Sequence, residues 1–129
     1  LTFPAGHIEP DPEVYPGAVA SLQAWTDSVG VFVRMASEAA ILPVLVSGVV
    51  SAKYANHWLL TIKKTKEEKE KLATALQLLG MVMFNEKPVT VTVQIGNPIY
   101  VKELGTNDTA VIHQAVLAEM KRLIENPPA

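Results

Sequence analysis

Cysteine is absent from this sequence, and with it go disulfides, thiolate metal sites and a cysteine nucleophile. Basic residues are not in excess: eleven Lys and Arg stand against thirteen Asp and Glu, for a formal charge of -2. A nucleic-acid footprint, which needs a concentrated basic surface, therefore has no general support. Long apolar runs are missing too. The most apolar stretch, Ala39 to Val50, covers twelve residues and contains Pro43, whereas a membrane-spanning helix needs about twenty. The opening Leu-Thr-Phe-Pro has no basic region, apolar core or small-residue cleavage site, so no targeting signal is visible and a cytoplasmic location is expected. Walker loop, dinucleotide fingerprint, Gly-x-Ser-x-Gly elbow and His-Glu-x-x-His are all lacking, so none of these motifs points to a nucleotide-binding protein, a serine hydrolase or a zinc protease.

What is present suits one globular domain. Of 129 residues 49% are hydrophobic and 19% charged, a balance that supports one core at this length, not two, and argues against disorder. Residues 39–50 read AAILPVLVSGVV, a strand buried on both faces. Residues 89–95 read VTVTVQI; alternation predicts a strand with Val89, Val91, Val93 and Ile95 toward the core and Thr90, Thr92 and Gln94 on the other side. A stub at Leu1 to Phe3 is read as a third strand, ending at Pro4. Between these segments the pattern is helical. Val19, Leu22, Trp25, Val29, Phe32 and Val33 make one stripe from Ala18 to about Arg34, with Gly30 a point of interruption. Thr65 and Glu68 have the spacing of a capping box, followed by Leu72, Leu76, Leu79 and Met83 toward Asn85, with Glu67 and Lys71 one turn apart. A last helix is expected from Asn107 or Asp108 to Glu125, stopped by Asn126-Pro127-Pro128. Such alternation predicts an α/β fold, a mostly parallel sheet flanked by helices.

The segment from Phe3 to Gly17 carries four prolines and two glycines in fifteen residues, which forbids helix or central strand and predicts a structured loop. Loops at strand ends hold ligands in open α/β sheets. Gly6 permits close backbone approach, and His7 beside it is a candidate donor, acid or base; the plain reading is a turn with an exposed histidine. Glu9, Asp11 and Glu13 alternate with prolines on a stiff segment, either as hard-cation ligands or, more simply, as a solvated acidic loop. Neither His57 nor His113 has an acidic residue at helical metal-ligand spacing, so both are read as structural or surface residues and no metal site is expected. Five lysines fall between Lys63 and Lys71, interleaved with Glu67, Glu68 and Glu70. A solvated helix start is the plain reading, and contact with anionic lipid headgroups is the sharper one.

The order of these segments resembles the second half of the glycerolipid acyltransferase family, which includes lysophosphatidate and glycerol-3-phosphate acyltransferases. Phe3, Pro4 and Gly6 match that family's Phe-Pro-Glu-Gly-Thr-Arg-Ser motif. Pro43 within ILPVLVSG matches its later proline-bearing strand, and Val-x-Val-x-Ile-Gly-x-Pro-Ile follows, so the resemblance runs from residue 1 to about residue 101. It implies that residues 1–129 are the carboxyl-terminal portion of an acyltransferase-like domain. The parent protein would transfer an acyl chain from coenzyme A or acyl carrier protein to a phosphorylated glycerolipid, in phospholipid biosynthesis. Phe3, Pro4, Gly6, His7 and Pro43 are the implied substrate-binding residues, with no bound cofactor and with peripheral membrane contact. Ala5, His7 and Ile8 depart from the family's Glu, Thr and Arg, which leaves the particular acceptor open.

The family's catalytic Asn-His-x-x-x-x-Asp is missing. Positions 61 and 117 are Thr and Leu, and the one match in spacing, His7 with Asp11, lies inside the acceptor motif. The expectation is that the base lies upstream of Leu1, that the chain alone is inactive, and that a second copy covers an apolar sheet edge left exposed. The alternative is a noncatalytic α/β binding or interaction module; a hydrolase lacks its nucleophile elbow.

Overall fold

Pro43 divides the apolar stretch 39–50 into short pieces, because it has no N–H to give to a ladder. The structure, a computed structural model, describes residues 1–36, 38–84 and 89–128, with the side chains of Lys66 and Glu67 outside the description. In chain order the elements are α1 (Ala18–Ser21), a 3₁₀ turn (Leu22–Ala24), α2 (Ser28–Met35), β1 (Ala40–Ile41) and β2 (Val44–Ser47). There follow α3 (Ala52–Ala55), a second 3₁₀ turn (Trp58–Ile62), α4 (Lys66–Phe84), β3 (Thr92–Ile95), β4 (Ile99–Tyr100), α5 (Val101–Leu104) and α6 (Thr109–Glu125).

The predicted mostly parallel sheet is not formed. The chain is 51% helical, and among the described residues its strands make two short antiparallel pairs, β1 with β4 and β2 with β3. In the first, Ala40 faces Tyr100 and Ile41 faces Ile99. Beside the second, Gly96 N–H donates to the Pro43 carbonyl at 2.8 Å. Residues 1–3 are not a strand; a turn follows them. Nor are the strands covered on both faces. Val44 and Val46 are exposed while Ser47 is buried, and in β3 Val93 and Ile95 are exposed while Thr92 and Gln94 are half-buried. Alternation fixes which side chains share a face but not which face is covered. Here two inward polar groups have partners: Ser47 Oγ donates to Glu13 Oε1 at 2.6 Å, and Gln94 Nε2 donates to the Asn126 carbonyl at 3.1 Å.

Two compact units divide the chain, Leu1–His7 with Val19–Leu45 and Val93–Ala129, and Ile8–Ala18 with Val46–Thr92. Buried residues correspondingly form two clusters, where length alone suggested one core. In the first unit α2 packs on α6 around Leu22, Val29, Val33, Ile112, Val116, Met120 and Leu123. The expected single helix from 18 to 34 is broken at 25–27, where Thr26 N and Oγ1 both bond to the Pro4 carbonyl at 3.3 Å; Gly30 lies inside α2. Asp108 caps α6 as its side chain suggests, accepting from Ala110 N at 2.9 Å.

In the second unit Val50, Tyr54, Ala55, Leu60 and Ala73 form the other cluster. Thr65 Oγ1 accepts from Glu68 N and starts α4. That helix turns Glu70, Ala73, Gln77 and Gly80 inward and leaves Leu79 and Met83 of the predicted stripe exposed. Gln77 explains the rotation: its Nε2 donates to the Val49 carbonyl at 2.9 Å and its Oε1 accepts from Ser51 N at 2.8 Å. Backbone groups of the 49–51 loop thereby gain partners that a leucine could not supply. The expected helix end at Asn85 and the Glu67 side chain of the Glu67–Lys71 pair lie outside the described residues.

Candidate functional site

Phe3, Pro4, Gly6 and His7 form one exposed turn in the first unit. Gly6 N–H donates to the Phe3 carbonyl at 3.2 Å, and Gly6 has φ +66°, a left-handed conformation that favours glycine. No neighbour crowds that position, so backbone conformation and not space is what requires the glycine. The Pro4 carbonyl is held by Thr26, which ties the turn to the start of α2. His7 Nδ1 donates to the Ala5 carbonyl at 2.7 Å, so the ring is oriented by its own loop and Nε2 is its remaining polar atom. Pro43 is buried between β1 and β2, and its carbonyl is taken by Gly96. The turn and Pro43 therefore belong to one unit but bond to different parts of it.

Of the acidic residues of the proline-rich loop, Asp11 departs from a solvated segment, while Glu13 is exposed. Asp11 is buried, and its two carboxylate oxygens accept from the backbone N–H groups of Glu13, Gly48, Val49 and Val50, at 3.1, 3.2, 2.8 and 3.4 Å. Nothing remains of it for a cation, and among the described residues no group of three His, Cys, Asp or Glu is placed to hold a metal. Glu13 lies beside Gly48 on the wall of an open cavity of about 330 Å³, lined also by Val14, Val50, Ser51, Ala52, Val89 and Thr90. Gly48 has φ +72°, and a Cβ there would sit 2.5 Å from the Thr90 carbonyl. Tyr15, from the same loop, has a buried hydroxyl with no hydrogen-bond partner among the described residues. Burial, then the nearby Glu70 and Asp11 charges, push its ionisation above the usual phenol range.

Asp11 and His7, the one pair at catalytic spacing in the sequence, are thus each committed elsewhere, to the 48–50 backbone and to the Ala5 carbonyl. His57 caps the second 3₁₀ turn, where its Nδ1 accepts from Leu59 N at 3.3 Å, in line with a structural role. Sequence reading missed Ser47, Gly48 and Gln77. Only the glycine carried a local signal, as a glycine near the end of an apolar run. No described helix is long and apolar enough to cross a membrane. Comparison with protein-family models, curated proteins and solved structures finds no match to this chain.

Proposed function

We propose that this chain is the acceptor-binding part of an acyltransferase that moves an acyl chain from a thioester of coenzyme A or acyl carrier protein to a hydroxyl of a phosphorylated glycerolipid. One observation carries the reading. Gly96 N–H meets the Pro43 carbonyl at 2.8 Å, joining two of the resembling motif segments, in the same unit as the Phe3–His7 turn that supplies the third. The reading rests on those segments and not on the sheet, which is not the parallel one the resemblance implied. His7 would hydrogen-bond the acceptor phosphate in this reading, which its exposure and the orientation of its ring by the Ala5 carbonyl support. In such a transfer the acceptor hydroxyl attacks the thioester carbonyl, a base takes its proton, and the thiol leaves. With His7 and Asp11 engaged as described, the chain alone is expected not to turn over. A lipid acceptor implies peripheral contact with a membrane.

Titrating the chain with lysophosphatidate should shift the NMR signals of His7 and its neighbours, and His7→Ala should weaken binding about tenfold, as expected for losing one hydrogen bond to a charged group. Absence of binding by phosphorylated acceptors would overturn the proposal, and acyl transfer by the chain alone would overturn its inactivity. A second reading, a noncatalytic binding module, is favoured by the cavity at Glu13 and Gly48. There a ligand with a hydrogen-bond donor would meet the Glu13 carboxylate and rest on Val14 and Val50. In that case binding survives His7→Ala and is lost in Glu13→Gln.

A further inference from the structure

The 3₁₀ turn Trp58–Ile62 is anchored from beneath and apolar on top. Leu60 is 5% exposed and packs in the second cluster, whereas Trp58 and Ile62 are 69% and 68% exposed. With about three residues per turn, an inward Leu60 leaves both of its apolar neighbours on outward sides. The turn is held in shape: His57 accepts from Leu59 N, Thr61 Oγ1 donates to the Trp58 carbonyl at 2.7 Å, and the His57 ring stacks on the Trp58 indole with centroids 6.0 Å apart. Lys63 and Lys64 follow at once, both exposed.

The geometry points to this turn as a membrane-contacting edge for an anionic lipid surface, with Trp58 and Ile62 entering the headgroup boundary and Lys63 and Lys64 meeting the lipid charges. Of the glutamates interleaved with these lysines, Glu70 is turned into the second unit and buried, while Glu68 is exposed. Amphipathic tryptophan suits the lipid–water boundary, and lysine stems lie along apolar surface while their ammonium groups reach phosphate. A second copy is the poorer occupant: two-fold pairing sets the same patch against itself and brings the lysines of one protomer toward those of the other. The inference is independent of the acyl-transfer reading.

The test uses the full chain with vesicles of phosphatidylcholine containing phosphatidylglycerol, and with phosphatidylcholine alone. Cosedimentation is expected with the anionic vesicles only and should fall as salt is raised. Lys63→Gln with Lys64→Gln should weaken it about tenfold or more, and Trp58→Ala should weaken it comparably. Brominated lipid should quench tryptophan fluorescence, and the exposed Trp58→Phe exchange, which leaves only the partly buried Trp25, should abolish the quenching. Equal binding to neutral vesicles, no binding to either, or quenching that survives Trp58→Phe would overturn the inference. So would a dimer that Trp58→Ala dissociates in the absence of vesicle binding. Titration with dispersed short-chain lysophosphatidate, which offers no surface, keeps failure here distinct from failure of the acceptor proposal.

Discussion

Asp11 does more for the second unit than its place in an acidic, proline-rich loop suggests. One carboxylate receives four backbone N–H groups, three of them from the 48–50 segment that follows β2. Charge-assisted bonds of this kind are worth roughly twice neutral ones, and removal leaves buried donors without partners. Asp11→Ala should therefore cost about 3 kcal/mol in urea denaturation, and Asp11→Asn, which keeps an acceptor oxygen, should cost less. Glu119 has the same logic in the first unit. Its carboxylate takes both Arg122 Nε and Nη2 and also Asn97 N, at 2.9, 2.7 and 2.6 Å. The Arg122 hydrogen bonds are the largest reason that its ionisation lies below the usual carboxylate range, with the Asn97 bond and the Arg122 charge adding to them against some burial. A lowered folded-state value favours the folded chain while the carboxylate is charged, and that advantage is lost only as pH falls through the lowered value. Glu119→Gln should thus destabilise the chain at neutral pH, and the gap from the parent should close only below the ordinary glutamate range. Denaturation midpoints measured against pH check the sign. Neither role is fully readable locally, since three of the four partners of Asp11 lie 37 to 39 residues away and Asn97 lies 22 from Glu119.

At the scale of elements, the contact between α2 and α6 depends on Gly30. A Cβ there would come within 2.9 Å of Thr109 Cβ and 3.0 Å of Thr109 Cα, so backbone as well as side chain would have to move. Alanine would bring better helix propensity, about 1 kcal/mol, against overpacking of about 1–3 kcal/mol at a site with little room to yield. Gly30→Ala should lower Tm, and a thermal melt that shows a rise would contradict the packing. The sequence pattern located α6 well, because capping at Asp108 and the stop at Asn126-Pro127-Pro128 are local chemistry. It also placed Leu22, Val29 and Val33 inward. It was half right for α4, whose Leu72 and Leu76 pack against the second cluster while Leu79 and Met83 are exposed and Glu70 and Gln77 are buried. A stripe of leucines says that a helix has an apolar face, but Gln77 met backbone groups of the 49–51 loop that no helix-local pattern could announce.

For the whole molecule, the expected single sheet and single core became two antiparallel pairs and two clusters. Hydrophobic alternation in residues 89–95 and the apolar run at 39–50 marked both as strand-forming. Direction and partner are properties of pairs of segments, and a single segment carries no record of them. The motif residues were legible as a proline- and glycine-directed turn at Phe3–His7 and as a proline at the start of β2. That Pro43 and Gly96 meet, and that Lys63 and Lys64 stand beside an exposed Trp58 and Ile62, became visible only with the chain folded.

The sequence by itself determined the local punctuation: the turn at Gly6, the caps at Thr65 and Asp108, and the stop at Asn126-Pro127-Pro128. Those depend on backbone sterics and on hydrogen bonds within a few residues, and such physics travels with the residues themselves. Tertiary structure alone decided strand direction, the inward face of α4 and of β3, and the burial of Asp11. Each is settled by which distant backbone N–H or carbonyl group needs a partner, and that demand exists only once the chain has brought those groups out of water.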